Sequence, residues 1–223
     1  MTKFIACYKI KLRMKLLYYL FQLIVWLIFF FITRIFSNFK IEGQENIKKS
    51  SKPLLIVANH RSFIDPFIIG TLFPPTLKYL PMAHMVDDKY YRGILKPFFF
   101  ILRTFPSYYG QGLDISLKKP RQTLKEGGIF LIFPSGQRDS NGVIPKPKRG
   151  VAVLVLENSK INILPIYLNL TAGWKLRDFL LRRKSIKIFV GEPFKLKDKT
   201  ESQDINEVSQ IIAQEVEKLA QTH

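Results

Sequence analysis

The chain has 223 residues, with 35 Lys and Arg against 17 Asp and Glu, and its net charge is +18. This length allows one full-sized core rather than several domains. A hydrophobic share of 47% excludes a disordered chain, so the charge is predicted to lie on a folded surface. Such a surface attracts nucleic acid or an anionic membrane. Because Cys7 is the only cysteine, an intramolecular disulfide and a multi-cysteine metal site are excluded, which is consistent with a reducing, cytoplasmic compartment.

The first predicted element is an apolar helix. Residues 16–33 carry no charge and one strongly polar side chain, Gln22, and a helix of this length spans or nearly spans a hydrocarbon core roughly 30 Å thick. Both flanks are basic and no acidic residue occurs before Glu42, so both ends favour the cytoplasmic side. A monotopic or re-entrant placement on an anionic membrane resolves this conflict, and a single span is the alternative. We predict a membrane anchor over residues 1–40 and one folded domain over residues 41–223.

Two other interpretations of this helix agree less well with its sequence. A cleaved signal peptide has a shorter apolar region, and the residues that follow, RIFSNFK (34–40), offer no small-residue cleavage site. A helix packed on the core of a domain of this size is normally apolar on one face, whereas this segment is apolar all round.

Short apolar runs alternate with helical patterns through the rest of the chain. Strands are predicted over residues 54–58, 77–82, 104–108, 129–133, 161–168 and 186–190. Helices are predicted over residues 63–72, 93–102, 114–126, 151–158 and 201–220. A capping box of Thr200 and Gln203 is predicted to open the last helix. The alternation predicts an α/β fold with a mixed, largely parallel sheet flanked by helices.

One histidine lies where chemistry is expected. Of His60, His84 and His223, only His60 directly follows a predicted strand, within NHRSFID (59–65). Asp65 is five positions further on, a spacing that lets its carboxylate reach an imidazole nitrogen and stabilise the imidazolium that forms when the other nitrogen accepts a proton. Such a base allows an alcohol to attack an acyl thioester directly. Taken alone, the pair is equally consistent with a helix cap or an ordinary loop histidine.

A second strand leads into a basic turn. The run FPSGQR (133–138) delivers Arg138 into a glycine-containing turn, and Lys146, Lys148 and Arg149 follow shortly after. Guanidinium groups bind phosphate oxygens through paired, charge-assisted hydrogen bonds, so the sequence predicts a site for a phosphate ester. For Lys146 and Lys148, a solvated loop touching lipid headgroups is an open alternative.

These motifs, in this order and spacing, resemble those of the glycerophospholipid acyltransferases typified by 1-acyl-glycerol-3-phosphate acyltransferase. The resemblance extends over residues 41–194. The matching motifs are NHRSFID (59–65) for the NHxSxxD block, FPSGQR (133–138) for the FPEGTR block, KRG (148–150) for a basic residue before Gly, ILPI (163–166) for the apolar-Pro block, and GEP (191–193) for the closing turn.

The resemblance implies roles for individual residues. His60 would be the general base, Asp65 its orienting partner, and Arg138 a ligand for the acceptor phosphate. Asn59 and Ser62 would shape the catalytic turn. The predicted substrate-binding set is Asn59, Ser62, Ser135, Gly136, Arg138, Lys148 and Arg149.

The resemblance also implies a reaction. An acyl chain would pass from acyl-CoA or acyl carrier protein to a lysophospholipid hydroxyl, most directly that of 1-acyl-glycerol-3-phosphate, giving phosphatidic acid. The reaction would need no cofactor and no metal, and a hydrophobic groove would measure the acyl chain. From the basic flanks of the apolar helix, and not from the resemblance, we expect the active site on the cytoplasmic face of the cell membrane.

The chain departs from the family pattern at three positions. Tyr108 lies near the place of an Arg in the second block, while Ser135 and Gln137 replace the usual Glu and Thr. If the missing Arg and Glu groups are buried in the family, their loss changes polar recognition by several kcal/mol, on the order of 1–3 kcal/mol for each group. The acceptor is therefore open among lysophosphatidate, another lysophospholipid, and an amino- or glycolipid.

Three rivals come from other classes. A catalytically inactive protein could keep the fold and bind anionic membranes. A nucleic-acid binder is disfavoured because the aromatic residues cluster in apolar runs such as 98–100 instead of alternating with Lys and Arg. A serine hydrolase is disfavoured because Ser135 lacks a Gly-x-Ser-x-Gly turn.

Overall fold

The computed structural model describes residues 2–91, 93–108, 110–139, 145–170 and 185–221, with side chains from residue 12 onward. The helices are α1 (Thr2–Phe36), α2 (Asn46–Lys49), α3 (Asp65–Gly70), α4 (Lys96–Ile101), α5 (Leu113–Lys125), α6 (Gly150–Leu156) and α7 (Ile205–Gln221). The strands are β1 (Asn38–Glu42), β2 (Leu54–Ala58), β3 (Ala83–Asp87), β4 (Thr104–Ser107), β5 (Ile129–Ile132), β6 (Asn162–Leu170) and β7 (Ser185–Val190). Short 3-10 helices cover Asp88–Tyr91, Gly93–Leu95 and Leu196–Asp198.

The described strands form one sheet in the order β1-β7-β6-β2-β5-β3-β4. Only the β6–β7 pair is antiparallel among the strand pairs of the described residues. The predicted α/β fold with a mixed, largely parallel sheet is therefore confirmed. β2 lies in the middle and all five of its residues are buried, as expected for a strand with both faces covered by helices.

Different helices cover the two faces of the sheet. Alternate side chains of β2 point to opposite faces, so Leu54 and Ile56 pack with α3 whereas Leu55 and Val57 pack with α5, α6 and α7. Tyr19 of α1 packs against the same core as α3. The face covered by α1 and α3 is called the anchor face below, and the face covered by α5, α6 and α7 the opposite face.

The N-terminal helix lies against the anchor face, where Gln22, the one strongly polar side chain of residues 16–33, hydrogen-bonds the domain. Gln22 Nε2 donates to the carbonyls of Met82 (2.7 Å) and Leu102 (2.8 Å), and Gln22 Oε1 accepts from Met82 N (2.9 Å). Trp26 Nε1 donates to Phe73 O. Within α1, Leu12–Phe36 is long and apolar enough to cross a membrane, with a mean hydropathy of 2.2. Only 11% of its 18-residue apolar window is buried, so much of this helix is exposed or half-buried in the described structure.

The structure corrects two predictions and adds one strand. Residues 77–82 form turns and the strand begins at Ala83, so the predicted strand 77–82 is wrong; the apolar residues there pack into the core from a turn. β1 was not predicted, and the predicted boundary at residue 40 falls inside it. α7 begins at Ile205 because Asp204 Oδ1 accepts from the backbone N–H of Asn206 (3.0 Å) and Glu207 (2.8 Å), so the predicted capping box at Thr200 is wrong.

Candidate active site

The site lies where β2 and β5 end. The two strands pair in parallel with Val57 opposite Ile132, so the turns that begin at Asn59 and Phe133 leave the same edge of the sheet. Ligand sites in open α/β sheets form at this carboxyl edge. The fold thus brings together two motifs that are more than 70 residues apart in the chain.

His60 and Asp65 are in contact. His60 Nδ1 lies 2.8 Å from Asp65 Oδ2, so the predicted contact is confirmed. The Asp65 carboxylate is fully buried and also accepts from Arg61 N (2.6 Å) and Ser62 N (2.7 Å) at Oδ2 and from Ser62 Oγ (2.5 Å) at Oδ1. Four donors therefore hold the carboxylate in place. A carboxylate acceptor at Nδ1 assigns the ring proton to that nitrogen, which leaves Nε2 as the proton acceptor.

The imidazole is also held by an aromatic ring. The ring of Phe133 stacks on that of His60 with centroids 4.1 Å apart and planes 14° apart. The His60 side chain is 19% exposed and lines the cavity described below. Packing on one side and a hydrogen bond at Nδ1 restrict the imidazole to one orientation.

Asn59 fixes the backbone of the same turn. Its Oδ1 accepts from Leu168 N (2.7 Å), and its Nδ2 donates to Leu168 O (3.1 Å) and to Asp139 Oδ2 (3.3 Å). The backbone N–H of Asp139 in turn donates to His60 O (2.6 Å). Burial raises the pKa of the Asp139 carboxyl, and its contact with Asn59 partly offsets this. Asp139 was missed at the sequence level, although a carboxylate directly after Arg138 was the available signal.

A cavity of about 990 Å³ opens beside His60. Its walls are largely apolar and aromatic, and include Phe63, Phe67, Met85, Phe99, Leu117 and Leu131. In the part of the chain that the structure describes, three cationic side chains also line the cavity: Lys89, Arg138 and Lys148. An amphiphilic molecule with an anionic head fits such a cavity, because one part of the wall removes apolar surface from water and another part pairs with charge.

The glycine of the basic turn makes room for a lysine. Gly136 has φ of +60°, and a Cβ built there would lie 3.1 Å from Lys148 Nζ. The backbone N–H of Lys148 donates to Pro134 O (2.8 Å), which folds the basic loop over this turn. Arg138 reaches across the cavity, and its Nη2 donates to the Tyr90 hydroxyl at 3.4 Å. The sequence did not indicate Lys89 and Tyr90, because the strand before them was predicted over residues 77–82 and not at Ala83–Asp87.

Other predicted substrate-binding residues lie behind the cavity wall. Ser62 Oγ is committed to Asp65, and Ser135 is buried with its Oγ donating to Gln137 O (2.8 Å). The guanidinium of Arg149 turns away toward α7, where Nε donates to Asn206 Oδ1 (3.1 Å), and Arg149 does not line the cavity. Ser62 and Ser135 thus shape turns, and Arg149 is left out of the proposed substrate site.

A second histidine lines the cavity without an acidic partner in the described contacts. His84 of β3 lies with Nε2 3.1 Å from Thr104 Oγ1. Burial lowers the pKa of His84 to about 4, with the charge of His60 as a smaller cause. His84 is therefore neutral near pH 7. Among the described residues, no three His, Cys, Asp or Glu side chains are grouped so as to hold a metal ion.

A carboxylate-bound imidazole in the wall of an apolar cavity with cations is suited to moving a proton on an amphiphilic substrate. The Acyltransferase family matches residues 38–169, and the chain belongs to this family. It is thus an acyltransferase, and its predicted resemblance to the glycerophospholipid acyltransferases is confirmed.

Curated relatives have consistent names. The 1-acyl-sn-glycerol-3-phosphate acyltransferase of Bacillus subtilis is 28% identical over 156 residues, which cover 69% of this chain and 72% of that protein. The protein of the same name from Saccharomyces cerevisiae is 28% identical over 142 residues, which cover 60% of this chain and 43% of that protein.

A solved structure has the same fold. The crystal structure of the 1-acyl-sn-glycerophosphate acyltransferase from Thermotoga maritima superposes with a TM-score of 0.61 at 18% identity. The superposition covers 86% of this chain and 74% of that chain. At this identity, the similarity concerns the arrangement of helices and strands.

Proposed function

We propose that this acyltransferase moves an acyl chain from acyl-CoA or acyl carrier protein to the free hydroxyl of a lysophospholipid, most directly 1-acyl-glycerol-3-phosphate. The observation that carries the proposal is the His60–Asp65 contact in the wall of a cavity large enough for an acyl chain. The names of the Bacillus subtilis and yeast relatives support this acceptor.

Proton transfer by His60 is the core of the proposed mechanism. Nε2 of His60 accepts the proton of the acceptor hydroxyl while the oxygen attacks the thioester carbonyl carbon. The imidazolium that forms is stabilised by Asp65 through Nδ1. When the tetrahedral intermediate collapses, the carbon–sulfur bond breaks and the thiolate takes the proton from Nε2, so the products are an ester and a thiol. General acid–base catalysis of this kind contributes about 10²–10⁴-fold to a rate.

The three cavity cations are proposed to bind phosphate. Arg138 follows β5, and Lys148, just before α6, packs onto the same turn through its N–H bond to Pro134 O, so both lie on the same edge of the sheet as His60. A phosphate placed between them would bring the glycerol hydroxyl of the acceptor toward the imidazole. Lys89 lies on the other wall and pairs with Asp87 at 3.1 Å, so it is a second position for an anionic group of either substrate.

A different acceptor is favoured by two features of the same cavity. Tyr108 lines it where the resemblance expects an Arg, and Ser135 turns its hydroxyl to Gln137 where a Glu is expected. Each change removes a charged group from acceptor recognition. Another lysophospholipid, or an amino- or glycolipid, is therefore the second candidate acceptor.

The membrane is the proposed partner of the whole enzyme. The apolar surface of α1 and the net charge of +18 support attachment to anionic lipid. The basic residues on both flanks of the apolar span support a position of the active site on the cytoplasmic face. No cofactor takes part in the proposed reaction.

The proposal is tested with the membrane-embedded full chain, labelled acyl-CoA or acyl carrier protein, and a panel of lysolipids, with products identified by mass. His60→Ala is expected to lose acyl transfer by about 10²–10⁴-fold while the chain stays folded and membrane-bound. Normal turnover in purified His60→Ala would overturn the mechanism. A catalytically inactive membrane protein would give no product with any acceptor, and no difference between parent and variant.

A further inference from the structure

An exposed apolar segment lies between β3 and β4. Residues 93–101 are called the mouth segment here. Ile94 is 94% exposed, which is exceptional for a large apolar side chain, and Leu95, Phe98 and Phe100 are 49%, 39% and 48% exposed. Contiguous apolar surface on a folded protein usually marks a binding surface for a protein or a membrane.

The mouth segment continues the apolar surface of α1. Phe98 packs edge to face on Phe21, and Phe100 on Tyr18, each with ring centroids 5.9 Å apart. From Leu16 to Ile35 the outward side of α1 is apolar and exposes Leu16, Leu17, Leu20, Ile24, Leu27, Ile28, Phe31 and Ile35. The two elements thus present one apolar surface on the anchor face.

The same segment forms part of the cavity wall. Phe99, between the two exposed phenylalanines, is 3% exposed and lines the cavity. Its ring lies 6.4 Å from that of Phe63, which also lines the cavity and is itself 43% exposed. The cavity therefore opens next to the apolar surface and not on a distant side of the molecule.

The charged residues of α1 and of the mouth segment itself are all basic. The sequence has no Asp or Glu from residue 89 to residue 113, nor before Glu42, and both stretches contain several Lys and Arg. In contrast, α7 on the opposite face carries Glu207, Glu215 and Glu217. An apolar surface with a basic rim complements an anionic leaflet, because each cation near such a surface contributes about 1 kcal/mol to binding.

We propose that the mouth segment inserts into the same anionic leaflet as α1, so that the cavity opens directly into the lipid phase. This rests in part on the proposed function, because an acceptor and product that are lipids then enter and leave without crossing water. Ile94 and Leu95 are the inserting side chains, and Phe98 and Phe100 join them to α1.

Insertion is tested by fluorescence in the full chain with Cys7→Ser, since Cys7 is the only cysteine. A nitrobenzoxadiazole label is placed by Ile94→Cys, by Leu27→Cys on α1, and by Ile205→Cys, which is 36% exposed on the opposite face. The protein is reconstituted into phosphatidylglycerol–phosphatidylcholine vesicles containing doxyl lipids. We expect quenching at position 94 as strong as at position 27, and none at position 205.

Quenching at position 94 no greater than at position 205 would overturn the proposal. A blue shift of the label at position 94 that rises with protein concentration without vesicles would also overturn it, because a second copy would then cover the segment. The fluorescence result is independent of catalysis, so it stands even if the proposed acyl transfer fails.

Activity gives a second measurement. Ile94→Glu with Leu95→Glu is expected to lower kcat/KM about tenfold or more for an acceptor embedded in vesicles. The same variant is expected to act normally on a short-chain acceptor that is dispersed as monomers. Equal losses with both acceptors would show damage to the site and contradict the proposal, and Ile205→Glu is the matched control.

Discussion

Replacement of Asp65 by Asn separates two roles of this carboxylate. Oδ2 receives the backbone N–H groups of Arg61 and Ser62 as well as His60 Nδ1. An amide NH₂ at that place would face three donors, so the amide oxygen of the substituted side chain must occupy it. The NH₂ group then faces Ser62 Oγ, which is able to rotate and accept. The tautomer of His60 is therefore kept, and only the negative charge beside the imidazole is lost.

The size of the effect follows from that charge. A hydrogen bond to an ionised partner contributes about 1.5–3 kcal/mol, against about 1 kcal/mol for a neutral one. With the direct attraction between the imidazolium and the carboxylate added, the loss in the transition state is about 3 kcal/mol. At 1.36 kcal/mol for each tenfold change, kcat is expected to fall about 150-fold in Asp65→Asn.

The assay is turnover of labelled acyl-CoA by purified variants, with thermal unfolding as a check on the fold. Asp198→Asn makes the same chemical change at an exposed turn, where the carboxylate accepts from Lys195 N, and should keep parental kcat. A loss well above about 150-fold that also equals that of His60→Ala would show that the tautomer is lost as well. A loss below about threefold would refute the role of the charge, because the expected loss of about 3 kcal/mol corresponds to about 150-fold in kcat.

Three further outcomes are expected. Gln22→Leu leaves three buried backbone groups without their Gln22 partner and should lower the free energy of unfolding by about 3 kcal/mol. Denaturation in detergent measures this change, and an unchanged midpoint would contradict the role of Gln22 in docking α1. Arg138→Ala should raise KM for a phosphate-bearing acceptor about 10- to 100-fold with little change in kcat. Arg149 lies outside the cavity, so Arg149→Ala should leave this KM unchanged. Equal effects of the two substitutions would argue against the phosphate site. His84 has its pKa lowered from 6.5 to about 4, so the unfolded chain gains a proton first as the pH falls through this window, and stability is lost. The loss between pH 7 and pH 4 attributable to His84 is roughly 3 kcal/mol, and His84→Gln should remove it; the same pH dependence in both proteins would exclude this cause.

Local pattern was enough to predict the central strands and the contact between His60 and Asp65. β2 and β5 are short apolar runs buried on both faces, and such runs are recognisable without knowledge of their neighbours. The approach of His60 to Asp65 was predictable as well, because five residues of turn and helix start determine it. Family membership followed from the order and spacing of the motifs.

Contacts between distant parts of the chain were not predictable in this way. The run 77–82 is as apolar as a strand, but the pairing of Ala83 and His84 with β5 decides where β3 begins. The register of β1 against β7 joins residues almost 150 positions apart. Neither pairing leaves a mark in local composition, since hydrogen bonds between backbones are independent of side-chain identity.

The amino-acid sequence by itself determined the α/β class, the apolar N-terminal helix and the chemical groups at the site, because periodicity and residue type act over a few positions. Only the tertiary structure decided that Gln22 joins α1 to the domain, that Asp139 supports the turn of His60, and that Arg149 faces away from the cavity. Each of these depends on which surfaces are buried together. Burial makes a polar group seek its partner from any part of the chain, and that choice is made only when the whole core forms.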